Sequence, residues 1–150
     1  MNEICQNVEN FLTEIIEDFG FELKASAVWS DDEGCLTNLS GEDVPLVLSE
    51  NGEMLDAFET ILFQLYGREL DRDHRIICDA DGFRQTRKSE LAMMAKFAAK
   101  NVREKEKSFT FGDLNSTERR MIHLSLQNEK DLITESVGEG SNRRLQVRLK

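Results

Sequence analysis

Ser116-Thr117-Glu118-Arg119-Arg120-Met121-Ile122-His123-Leu124 decides the reading of this chain. Arg119 and His123 stand four residues apart, so on a helix they share one face. Arg120 and Gln127 lie beside them, while Met121, Ile122, Leu124 and Ser125 cover much of the remainder. A guanidinium holds a phosphate through two parallel hydrogen bonds, and a neutral imidazole donates one bond or stacks on a base. That combination suits a single nucleic-acid strand, whose backbone and bases are both within reach. Asn115, three residues before Glu118, has the spacing of a capping box, with Ser116 as the competing cap.

Outward from this helix the charge is basic. Residues 84–107 read as one long helix, with Leu91, Met94, Ala95, Ala98 and Val102 on one side. At about 100° per residue, Lys96, Lys100, Arg103 and Lys107 fall in a narrow arc on the other. Downstream, Arg143, Arg144, Arg148 and Lys150 add further positive charge. The formal charge of −10 conceals a division: residues 1–80 carry 19 acidic and 4 basic side chains, net −15, and residues 81–150 carry 10 and 15, net +5. Phosphate would be repelled by the first segment, so binding belongs to the second. The acidic residues 1–80 are then free to face a protein partner.

A chain of 150 residues with 39% hydrophobic side chains can bury one ordinary core or two small ones. Cys5, Cys35 and Cys78 are odd in number and far apart, which predicts single buried thiols in a reducing compartment. No basic leader followed by an apolar run and no membrane-length apolar stretch occurs, so a soluble, cytoplasmic protein without membrane insertion is expected. Chemistry finds little support. Ser116, Ser125 and Ser136 lie outside any Gly-x-Ser-x-Gly elbow, and His74 is the sole histidine besides His123. Asp79 and Asp81 with Glu42 or Asp43 follow no calcium-loop pattern. A non-catalytic protein with no metal and no cofactor is therefore expected.

Ile4, Val8, Phe11, Leu12, Ile15 and Phe19 recur at three- and four-residue steps, predicting an amphipathic helix that Gly20 ends. Phe21 to Trp29 alternates as a strand, Asp31 to Gly34 turns, and a weaker strand lies near Cys35 to Leu39. Val44 to Leu48 reads equally as strand or short helix. Gly52 marks a change of direction, after which Met54, Leu55, Phe58, Ile61, Leu62 and Leu65 predict a second amphipathic helix and His74 to Asp79 a strand. Residues 131–137 and 143–149 read as antiparallel strands.

The order helix, strand, strand, short helix, turn, helix, strand resembles a type II K-homology domain, and the remainder resembles the small domain named for its Arg-x-x-x-His signature. Together they resemble the bacterial Jag family, also called KhpB. Four ordered segments carry the likeness: Leu55-Asp56-Ala57; Asp79-x-x-Gly82-Phe83-Arg84-x-x-Arg87-Lys88-x-Glu90-Leu91; Glu118-Arg119-Arg120-x-Ile122-His123-x-x-Leu126; and Thr134-x-Ser136-x-Gly138-Glu139-Gly140-x-x-Arg143-Arg144. The resemblance implies an α+β fold with a K-homology-like domain over 1–80 and an Arg-x-x-x-His domain over 81–150. It also implies non-catalytic binding of single-stranded RNA, with single-stranded DNA as the lesser alternative, in post-transcriptional regulation linked to envelope growth or division. Arg119 and His123 are expected at the strand, with Arg120, Lys96, Lys100, Arg103, Lys107, Arg143 and Arg144 around them. One departure is clear. Where the family has Gly-x-x-Gly with a basic residue between, this chain has Ser49-Glu50-Asn51-Gly52, so the first domain is expected to bind RNA poorly and a protein-interaction adaptor is the alternative function. The family's N-terminal extension has no counterpart in these residues, and the membrane-associated partnerships it carries are not expected here.

Overall fold

Helix α1 (Glu3–Phe19) begins where the Asn2 side chain accepts the Ile4 amide, and it ends at Gly20, whose φ of 70° suits a residue without a β-carbon. The computed structural model describes residues 2–150 and separates into two units, the first ending at Arg84 and the second covering Gln85–Lys150. After α1 the first unit runs through β1 (Leu23–Ser30), β2 (Gly34–Gly41), α2 (Val44–Val47), α3 (Ser49–Tyr66) and β3 (Arg75–Ala80). β2 lies in the middle, antiparallel to β1 and parallel to β3, so Thr37 faces Ala27 on one side and Cys78 on the other. A parallel pair needs a crossover, and α2 and α3 supply it.

Val8, Leu12 and Ile16 of α1, Leu55, Phe58 and Leu62 of α3, and Leu39 and Ile76 of the sheet form the first core. The apolar stripes are wider than the faces the sheet covers. Phe19, at 72% exposure, stands outside the core and stacks on Phe21, and Ile61 and Leu65 also face solvent; Cys5 and Ile16 are buried in α1 instead. The cysteines are buried as expected, yet Cys5 and Cys35 are not isolated, since their sulfurs lie 2.8 Å apart. Burial, followed by the Cys5 neighbour, raises the Cys35 thiol well above its ordinary range, and burial pushes Cys78 up to about 11.

Val44–Val47 is helical, with Pro45 in its first turn, where a missing N–H costs no helical bond. Between α2 and the regular part of α3, Glu50, Asn51 and Gly52 take φ of 51°, 58° and 79°, three consecutive left-handed residues. Ser49 anchors the entrance by donating its hydroxyl to the Leu46 carbonyl at 2.7 Å. Gly52 is demanded twice over, by its positive φ and because a β-carbon there would stand 2.5 Å from the Phe83 ring. Gly52→Ala should lower stability by about 1–3 kcal/mol, read as a shift of the urea midpoint at unchanged slope; an unshifted midpoint would mean that neither the left-handed backbone nor the Phe83 ring resists a β-carbon.

Several residues of the recognised motifs are structural. Arg84 donates to Asp56 and Glu59, each at 2.7 Å, and to the Cys78 carbonyl at 3.0 Å; Glu59 also accepts the Cys78 amide. Burial raises the Glu59 carboxyl above its ordinary range. Burial opposes the charge on Arg84, but its bonds to Asp56 and the nearby carboxylates prevail and raise it.

The second unit carries most of α4 (Phe83–Lys105), then β4 (Phe109–Thr110), α5 (Ser116–Leu126), β5 (Leu132–Val137) and β6 (Arg144–Leu149). β6 is central, antiparallel to β4 and β5. Leu91, Ala95, Ala98 and Val102 of α4 pack with Ile122, Leu126, Leu132, Leu145 and Val147. The whole is a mixed α+β fold. One detail of the lysine stripe changes: α4 stops at Lys105, Glu106 turns left-handed at φ 51°, and Lys107 therefore lies beyond the helix.

Candidate nucleic-acid interface

The site is built on the start of α5. Asn115 accepts the Glu118 amide at 2.8 Å while the Glu118 carboxylate accepts the Asn115 amide at 3.1 Å, a complete capping box. The same carboxylate, only 6% exposed, receives Arg87 Nε at 2.7 Å. Ile122 and Leu126 bury the opposite face of the helix, which leaves residues 119, 120 and 123 pointing outward. Arg119 is steadied by its bond from Nη1 to the Leu114 carbonyl at 2.6 Å. His123 Nδ1 bonds the Thr134 hydroxyl of β5, and its Nε2 has no partner among the described residues.

These side chains open onto a cavity of about 510 Å³ lined by Ser116, Arg119, Arg120 and His123 from α5, Thr134, Glu135 and Ser136 from β5, and Arg143 and Leu145 at β6. Among the described residues none of Arg119, Arg120 and Arg143 has a carboxylate within 4.0 Å. The lone acid of the lining, Glu135, is already held by Arg148 at 3.1 Å. The cavity thus presents three guanidiniums free of carboxylates, an imidazole edge and three hydroxyls, donors arranged for phosphate oxygens and base edges.

The other residues singled out in the sequence lie elsewhere. Arg103 is clasped by Asp131 at 2.7 Å and Glu129 at 2.6 Å, Arg144 is paired with Asp113, and Lys100 approaches Glu104 at 3.7 Å. Lys96, Lys100, Arg103, Lys107, Arg144 and Gln127 do not line the cavity. Ser49, Glu50, Asn51 and Gly52 belong to the first unit. Ser116 and Ser136 enter the sequence reading only as a helix cap and as rejected nucleophiles, and Thr134 only within a motif, yet all three line the cavity, and strand alternation alone sets Thr134 and Ser136 on one face of β5.

Arg103 gives a pH test. Its hydrogen bond holds the Asp131 carboxyl at about 2, below the ordinary value. A carboxyl depressed by folding stabilises the fold above its unfolded pKa and loses that contribution as pH falls toward the folded one. An NMR titration of the Asp131 carboxyl should have its midpoint near 2, and Arg103→Ala should raise it toward the ordinary carboxylate value, stopping short because a backbone hydrogen bond and Lys150 still lower it. A midpoint that stays put in the variant would dissolve the pairing.

The helix that carries Arg119 and His123 packs on a three-stranded antiparallel sheet, with Arg143 lining the cavity beside them. Residues 89–149, which hold all of these parts, match the Arg-x-x-x-His (R-three-H) domain. The chain is 28% identical over 141 residues to the RNA-binding protein KhpB of Clostridium symbiosum, covering 93% of this chain and 64% of that protein. It is 30% identical over 112 residues to the RNA-binding protein KhpB of Bacillus subtilis (strain 168), covering 73% of this chain and 54% of that protein. The chain therefore spans less than two thirds of the length of these curated relatives. Among the described residues no helix is long and apolar enough to cross a membrane, and no group of three or more His, Cys, Asp or Glu residues is placed to hold a metal ion.

Proposed function

We propose that this protein binds single-stranded RNA without catalysis, through the arginine cavity of its Arg-x-x-x-His domain. The observation that carries the proposal is the convergence of Arg119, Arg120, Arg143 and His123 on one cavity with no carboxylate free to neutralise them. Arg119 and His123 engage the strand at its backbone and a base, while Arg120 and Arg143 hold phosphates. The relatives named as RNA-binding proteins favour RNA over DNA. Residues 1–80 form a K-homology-like domain on this reading, supported by the element order and by the β1-β2-β3 sheet with its parallel second pair. Glu50 at the turn opposes phosphate, so that domain contributes little RNA affinity. The resemblance extends the role to cytoplasmic post-transcriptional regulation tied to envelope growth or division. Anisotropy titrations of short labelled RNA and DNA at several salt concentrations test the proposal: saturable binding that weakens with salt, tighter for RNA, supports it, and no saturation at low salt by folded protein overturns it.

A second reading, an adaptor whose acidic residues 1–80 dock a protein, is favoured by their net charge of −15. Partners in a pull-down that survive nuclease would support it. Loss of all of them after nuclease would count against it.

A further inference from the structure

Phe97 on α4 is 60% exposed, and its helical neighbour Met93 is 69% exposed. Four residues apart on one helix face, the two side chains make an adjoining exposed apolar pair, which is more informative than a lone surface residue. The Phe97 ring is not loose. Phe97 meets Phe109 edge to face at 5.9 Å, and Phe109 meets Phe111 in the same manner at 5.1 Å. Phe111 is 3% exposed, so three rings run from the core of the second unit to its surface and hold the outermost one in place. The charged residues nearest to it along the helix are basic, and Glu90 and Glu104 lie two turns away on either side. From Met93 to Asn101 the charged residues are Lys96 and Lys100, both exposed, and Lys107 precedes Phe109 by two positions. Lys96 has no carboxylate within 4.0 Å among the described residues, and Lys100 has a single solvated contact with Glu104.

A rigid, exposed aromatic face between lysines is what a sequence-tolerant platform for an unpaired base requires, because every base has a π-face and each is followed by a phosphate. A protein helix seated there would want apolar area without this positive border. We propose that Phe97 is a base-stacking residue for single-stranded RNA, with Lys96 and Lys100 on the neighbouring phosphates. The inference rests on the RNA-binding reading above and gives a second point of attachment outside the arginine cavity.

The test uses the full chain and a labelled twelve-nucleotide RNA. Phe97→Leu keeps an apolar side chain but removes the π-face, and should weaken binding about five-fold or more while leaving the salt slope unchanged. Phe97→Trp should retain affinity, and in a Trp29→Phe background its fluorescence should be quenched as RNA is added. Lys96→Gln should instead flatten the salt slope by about 0.7. Wild-type affinity in Phe97→Leu, or an indole indifferent to RNA, overturns the inference and leaves the cavity reading standing. Absence of RNA binding by the unaltered protein overturns both. A Phe97→Leu variant that binds RNA normally but dissociates a dimer also overturns it and assigns the surface to a second copy of the chain.

Discussion

Replacing Arg119, Arg120 and Arg143 together by glutamine should weaken RNA binding on the order of 100-fold, since each guanidinium contributes about 1 kcal/mol through charge-assisted bonds. Three lost phosphate contacts should also reduce the slope of log affinity against log salt by about 2. The control is a variant outside the cavity: Arg103 and Arg144 to glutamine removes side chains already paired with Glu129, Asp131 and Asp113, and leaves Arg148 in place because it holds the Glu135 carboxylate. That variant should leave the slope nearly unaltered. Equal losses in the two variants would mean that net charge, not the cavity, governs binding.

The second large effect is on stability. Glu118→Ala removes a carboxylate that is 6% exposed and leaves Arg87, itself 18% exposed, facing Glu90 alone. The change strands a half-desolvated guanidinium and opens the capping box of α5, so a loss of about 3 kcal/mol is expected. Amide exchange of the buried strands in the second unit reads this directly. Glu118→Gln, which keeps the cap acceptor and loses the charge, should fall between the two. A loss below about 1 kcal/mol for the alanine variant would show that Glu90 takes over the pairing.

Features that depend on near neighbours in sequence were legible. The capping box of Asn115 and Glu118, the stop at Gly20, the buried stripe Leu91, Ala95, Ala98 and Val102, and the antiparallel pairing of 132–137 with 144–149 all follow from local spacing. Features that depend on which acid folds back onto which base were not. Arg103 looks like a free phosphate ligand until Glu129 and Asp131, 26 and 28 residues away, close on it. The same holds for Arg144 with Asp113. Short-range periodicity also extended α4 two residues too far, because the left-handed Glu106 carries no glycine to mark the stop. Cys5 and Cys35 illustrate the converse, as thiols thirty positions apart become neighbours only when α1 lies on the sheet. Within the site, Arg119 and His123 were readable as a helical pair, but the Thr134 hydroxyl that orients the imidazole belongs to another element.

A basic cavity on a chain of net charge −10 has a practical consequence in handling. With a sequence pI near 4.7, it will be retained on an anion-exchange resin at neutral pH and rejected by a cation exchanger, the reverse of a typical RNA binder. Fractionation by bulk charge would discard it among acidic proteins, whereas on the proposed function capture on immobilised single strands recovers it through three guanidiniums that the global titration curve does not distinguish from the rest.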